Sequence, residues 1–237
     1  GKGDWHSKRY QNYSLYLARQ KYPNDTPSQI HNIAKQEFES AATNWFVETL
    51  KLCASIRPNA KWGFYGLPLN LYEPCDYLSN PIQCGYNNPI DGEKYRNYSD
   101  QQIPIWQNSQ AIYPSIYLPP RGDTEHYIEY INNTIMEAIR CAKNGDIKDN
   151  LVYPYMWQKY HNGTTLLSQT DLNITVKFPY NFNASGLIIW GDSKNASTDP
   201  LWSYLKTETG QIIDETVNYV NKSAEKKVKL EIDDKQS

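Results

Sequence analysis

No run of about 18 apolar residues occurs in the sequence, so no membrane-spanning helix is expected. A glycine-rich phosphate turn is absent, as is any Ser/His/Asp order. His6, His31, His126 and His161 are scattered without metal-ligand spacing, so neither a metal nor a cofactor is expected. Net charge is small, −2 with a pI near 6.1, which gives no electrostatic footprint for nucleic acid. A local basic patch can still sit inside so neutral a total. Phenylalanine is scarce. The 5 Phe stand against 20 Tyr and 7 Trp, so most aromatic rings carry a polar handle. The chain opens at Gly1 without an initiator Met or a signal peptide and is read as a mature form or a fragment.

What is present fits one sizeable globular domain: 237 residues, 39% hydrophobic and 21% charged. Acceptor triplets for N-glycosylation begin at Asn12, Asn97, Asn132, Asn162, Asn173, Asn183, Asn195 and Asn221. Asn24 begins another, disfavoured by Pro27. So many triplets along one chain predict a glycoprotein of the secretory pathway, expected outside the cell. Four cysteines suit that compartment. Cys75 and Cys84 are close neighbours in a Pro/Asn/Gly-rich loop and are expected to be bridged, whereas Cys53 and Cys141, near helix ends, read as free thiols with a second bridge as the alternative.

Helical spacing covers about 28–54, with Ile30, Ile33, Ala34, Phe38, Ala41, Trp45, Phe46, Leu50 and Cys53 on its apolar side. A second helix is expected over about 125–143, capped by Asp123 and stopped by Gly145. A weaker one covers 166–179, and a last one 199–221. Short strands are read at WGFYG (62–66), AIYPSIYL (111–118), LVYPYMW (151–157) and GLIIWG (186–191), with a long irregular stretch between the first two. Alternation of strands and helices predicts an α/β fold with a parallel sheet, best matched by a distorted TIM-like (β/α) barrel. A doubly wound open sheet is the runner-up, though it usually brings the glycine-rich turn missing here. A closed barrel needs about eight strands, so the barrel is expected to be incomplete on its N-terminal side. The domain is taken as 1–222, followed by a charged tail, 223–237.

Strand alternation puts Tyr113, Ser115 and Tyr117 on one face and Ile112, Pro114, Ile116 and Leu118 on the other. Tyr65, Tyr155 and Trp190 also fall late in their strands, where barrel enzymes keep their sites. Any one of these rings is ordinary barrel filling. The set, with Ser115 and Tyr117, suits a sugar: aromatic faces lie on the ring while hydroxyls and an indole N–H bond its edge.

The segments NWFVETLKLCASIRPNAKWGFYGLP, AIYPSIYLP, EAIRCAK and SGLIIWG, with KQEFE at 35–39, resemble the animal hyaluronidases of venom, sperm and lysosome. The resemblance runs from about Tyr10 to Val220. It implies a secreted, monomeric glycosidase with a glycosaminoglycan partner, hyaluronan and often chondroitin. The implied mechanism is retaining and substrate-assisted, without a carboxylate nucleophile. Tyr117 matches the tyrosine that positions the substrate acetamido group. Tyr65, Tyr155 and Ser115 match further cleft residues, and Trp190 matches the wall holding the acetamido methyl.

The family's acid lies in an Asp-aromatic-Glu motif. Asp4-Trp5-His6 is read as outside that motif, because YQNYS at 10–14 aligns without a gap to the helix that follows it, so the acid is expected before Gly1; the alternative is that His6 stands in place of the glutamate. A barrel opened in this way is expected to fold poorly by itself. Leu69 and Asn70 stand at the family's acidic and cysteine positions, Thr134 at an arginine and His161 at an aspartate. Cys75 is placed to restore the shifted bridge. A non-catalytic glycosaminoglycan-binding protein and a misfolding-prone truncated isoform are the alternatives.

Overall fold

The computed structural model describes residues 7–68, 86–120, 122–161, 163–191 and 203–234, and their side chains apart from position 91 and those beyond 223. The helices are α1 (Lys8–Lys21), α2 (Pro27–Ile56), α3 (Pro89–Asp100), α4 (Ile103–Trp106), α5 (Thr124–Asn144), α6 (Gln169–Asn181) and α7 (Gly210–Asp234). Two regular strands are β1 (Tyr155–Trp157) and β2 (Ile188–Trp190).

α2 starts where its chemistry dictates. Thr26 Oγ1 accepts from the Gln29 N–H, and Gln29 Oε1 accepts from the Thr26 N–H at 2.9 Å, with Pro27 opening the helix. The helix ends at Ile56, just before Pro58. Its first half packs against α1 through Ala18, Ile30 and Ala34, and Leu50 in its second half joins the core under the sheet. α5 is capped by Asp123, whose carboxylate accepts from the His126 N–H at 3.0 Å, and stops at Gly145. Gly145 has φ −92°, so left-handed backbone is not the reason for glycine there. A Cβ would lie 2.7 Å from Cβ of Trp106, and only glycine permits that approach.

The strand segments neighbour one another in chain order and run parallel. Tyr65 bridges Tyr113, Ile112 bridges Val152, Ser115 bridges Tyr155, and β1 pairs with β2 from Tyr155↔Ile188 to Trp157↔Trp190. Gly63 lets the first segment close on the second, since its Cβ would lie 2.2 Å from the Ala111 carbonyl oxygen. Between the second and third segments, Ile112 N–H donates to Leu151 O, Tyr155 N–H to Pro114 O and Ile116 N–H to Tyr155 O, all at 2.8–2.9 Å. Pro114 therefore forgoes one donor and keeps its carbonyl in the ladder. Among the described residues, this parallel run with intervening helices is the α/β part of the architecture.

The helices cover one face. Ile116 and Leu118 pack with Tyr127, Tyr130, Ile131 and Ile135 of α5 and with Leu172 of α6. Ile112, Val152 and Leu67 join Ala138, Cys141 and Trp106 in a second cluster. The stretch read as irregular between the first two strands contains α3 and α4. α3 is polar and weakly amphipathic, and tertiary bonds hold it. Arg140 forks from α5 onto Asp100 (2.7 Å) and Glu137 (2.8 and 2.9 Å) and donates to the Arg96 carbonyl. The final helix also differs from the reading of 199–221: α7 follows a π-helical turn, Leu205–Thr209, and continues past Ser223.

Cys53 and Cys141 are free, and burial pushes the Cys141 thiol up. Cys75, Cys84, Leu69, Asn70, Asn162 and Asn195 lie outside the described residues. Asn12, Asn97, Asn183 and Asn221 are exposed. Asn132 and Asn173 are half-buried within helices, and their triplet threonines, Thr134 and Thr175, are buried.

Candidate functional site

The face of the sheet turned away from α5 carries the hydroxyls. Tyr113, Ser115 and Tyr117 point to it from one segment, while Pro114, Ile116 and Leu118 are buried on the opposite side. From the first segment, Tyr65 donates its hydroxyl to Ser115 Oγ at 3.4 Å and sets its ring edge-on to Tyr155, centroids 4.8 Å apart. Tyr65 also lies 6.1 Å from Tyr117. On the other flank, Trp190 stacks 6.1 Å from Tyr117, and Trp157 meets Trp190 edge-on at 5.2 Å. Tyr65, Ser115, Tyr117, Tyr155 and Trp190, which sequence reasoning singled out, thus form one contiguous patch.

The patch is graded in exposure. Tyr65 and Trp190 are 52% and 40% exposed, whereas Tyr117 between them is 8% exposed. Burial, reinforced by the Tyr65 and Tyr155 hydroxyls, holds the Tyr117 phenol far above its ordinary range. Tyr117 is therefore a neutral hydroxyl that can donate at any physiological pH. Burial also raises Tyr113 to about 12, and its hydroxyl donates to the Lys61 carbonyl at the patch margin. From behind, the Tyr130 hydroxyl donates to the Ser115 carbonyl at 3.2 Å and the Tyr127 hydroxyl to Pro119 O at 2.8 Å, fixing the backbone that carries Tyr117.

Two members of the patch were not picked out as binding residues. Trp157 lies 5.8 Å from Tyr117, and His161 sets its ring edge-on to Tyr117 at 5.9 Å. Period-two spacing from Tyr155 is the signal that finds Trp157. Thr134 takes no part. It lies buried within α5, and among the described residues its Oγ1 has no hydrogen-bond partner. Among the described residues no cluster of metal-ligating side chains occurs. No carboxylate belongs to the patch as these contacts define it, so the patch can stack, hydrogen-bond and orient a ligand, and its own residues supply no acid. A separate cavity of about 390 Å³ lies between α2 and α4, lined by Glu39, Phe46, Leu67, Gln102 and Ile105.

The family model described as hyaluronidase matches residues 2–228. Mouse hyaluronidase-2 is 32% identical over 213 residues, 89% of this chain and 44% of its own length. Hyaluronidase PH-20 of Macaca fascicularis is 36% identical over 185 residues, 77% of this chain and 35% of its own. This chain therefore spans less than half the length of these curated relatives. The crystal structure of bee venom hyaluronidase superposes with a TM-score of 0.74 at 26% identity, covering 87% of this chain and 64% of that one. A second bee venom structure, in complex with a hyaluronic acid tetramer, also superposes with a TM-score of 0.74, over 62% of its chain.

Proposed function

Because the chain belongs to the hyaluronidase family, we propose that its aromatic patch is the substrate-holding wall of a secreted endo-glycosidase that cleaves hyaluronan at N-acetylhexosaminide bonds. The observation that carries this reading is the convergence of Tyr65, Tyr117, Tyr155 and Trp190 in one chain of ring contacts. The complex of bee venom hyaluronidase with a hyaluronic acid tetramer supports the choice of ligand.

In the proposed reaction, a carboxylic acid outside the patch protonates the glycosidic oxygen as the bond from the anomeric carbon to that oxygen breaks. The substrate's acetamido oxygen attacks the anomeric carbon from the face opposite the departing oxygen and forms the new bond there. Water then attacks that carbon and releases the acetamido oxygen, returning a proton to the carboxylate, with net retention. The Tyr117 hydroxyl is neutral and aimed by its neighbours, so it serves to hold the acetamido group in the attacking pose. Its contribution is pre-organisation. Trp190 walls the acetamido methyl, and Tyr65, Tyr155 and Ser115 bond and stack the flanking sugar. The barrel is proposed to close with polypeptide that supplies the remaining strands and the Asp-aromatic-Glu acid.

A second reading has one observation in its favour. His161, where the family carries an aspartate, packs on the Tyr117 ring and so alters the site itself. In that reading the cleft holds a glycosaminoglycan without cutting it. Reducing-end release from hyaluronan by the longer protein separates the two. Cleavage that disappears in Tyr117→Phe supports the enzyme, and tight binding without cleavage supports the second reading. Neither binding nor cleavage would refute both.

A further inference from the structure

We propose that Lys159 supplies the counter-charge for the carboxylate of an acidic sugar lying across Trp157 and Trp190, so that the cleft selects a uronate-containing polymer over a neutral one. This rests on the sugar-cleft reading above and adds the feature that sets ligand class.

Lys159 continues the period-two series of Tyr155 and Trp157 and so leaves the backbone toward the same face. Its ammonium sits 5.7 Å from the centre of the Trp157 ring, which itself contacts Trp190 at 5.2 Å and Tyr117 at 5.8 Å. The residue is 5% exposed, so little of its side chain meets solvent. A buried ammonium ordinarily carries an anionic partner. Even the more exposed cations Lys21, Lys51, Arg140 and Lys177 have one, Glu37, Glu48, Glu137 and Glu215 at 2.7–3.1 Å. Lys159 is the most buried of these cations, yet among the described residues no carboxylate lies within ion-pair distance of it.

A cation–π contact occupies one side of an ammonium and leaves its remaining N–H donors free. A sugar ring flat against the indoles would project an equatorial carboxylate toward that side. Bringing an anion to a partly desolvated cation forms a charge-assisted bond stronger than the same bond in open solvent. A neutral sugar would stack equally well and leave the ammonium unpaired.

The test is titration of the 237-residue chain with a hyaluronan oligosaccharide and with the same oligosaccharide after reduction of its carboxyl groups to primary alcohols, read by tryptophan fluorescence. Wild type should bind the acidic form about tenfold more tightly or better, the range of a hydrogen bond to a charged group. Lys159→Met should lower the affinity for the acidic form to that for the reduced one and leave the latter unchanged. Lys159→Arg should retain the preference, and Trp190→Ala should weaken both ligands alike. Equal wild-type affinity for the two forms overturns the role of Lys159 without recourse to any variant. Equal loss of both ligands in Lys159→Met also overturns it, while the sugar cleft stands. Binding of neither oligosaccharide by wild type removes the sugar cleft and this proposal together.

Discussion

Segment 111–118 has two faces that share a backbone and differ in what they do. On one, Ile112, Ile116 and Leu118 are 0–2% exposed and locked into α5 and α6. On the other, Tyr113, Ser115 and Tyr117 meet rings from the neighbouring strand segments around an open edge. The first face gains its free energy from apolar area removed from water, about 1.5–3 kcal/mol for each large side chain. The second carries polar groups on a face whose flanking rings, Tyr65 and Trp190, stay 52% and 40% exposed. Stability and recognition are thereby separated by the pleat of a single strand, so a substitution on one face should leave the other's property nearly intact.

That separation can be broken from either side. The largest effect is expected at Tyr117. In the proposed enzyme, Tyr117→Phe should lower hyaluronan turnover by about 10²–10³-fold, the usual consequence of losing one well-placed donor, with the melting temperature close to wild type. An equal fall in activity and melting temperature would mean that the two faces are not independent. Next comes the helix face. Ile131→Ala removes a side chain with no exposure and should cost about 2–5 kcal/mol in denaturant unfolding, with oligosaccharide affinity per folded molecule unchanged. A comparable loss, about 3–5 kcal/mol, is expected for Arg140→Met, which strands the buried Glu137 carboxylate. Hydrogen exchange should then show α3 opening before α5.

Smaller effects sit at the helix starts. Thr26→Ala removes the capping box of α2 and should cost about 1 kcal/mol. Asp123 is held below the usual carboxylate range by the His126 N–H and side chain. A depressed carboxylate contributes stability that is present above its unfolded value and lost as pH falls through the folded one. Asp123→Asn keeps an N-cap, so it should flatten the acid limb of the melting curve below about pH 4 and change little near neutrality. An unchanged acid limb would show that the cap does not titrate with folding.

Much of this arrangement was legible in the residues. α2 and α5 announce themselves by apolar periodicity, α5 with Asp123 in front, and their observed ends fall within a few residues of those expected. The members of the patch were legible because alternation assigns faces and strand ends assign depth. Trp157 was not, although its spacing from Tyr155 was visible, because only the parallel pairing with β2 brings it against Trp190. α3 and α4 were illegible for another reason. Their local sequence, rich in Asn, Gly and Pro, argues for loop, and the bonds from Arg140 that hold α3 come from 40 or more residues away. Where tertiary contacts outweigh local preference, a window of sequence carries no trace of them.

The central claim is that the polar face of segment 111–118 is a sugar cleft, and nuclear magnetic resonance tests it most directly. The indole N–H signals of Trp157 and Trp190 should shift together on titration with a hyaluronan oligosaccharide and saturate along one curve, while that of Trp106, buried among the helices, stays still. Shifts absent from Trp157 and Trp190, or spread equally over Trp106, would contradict the account.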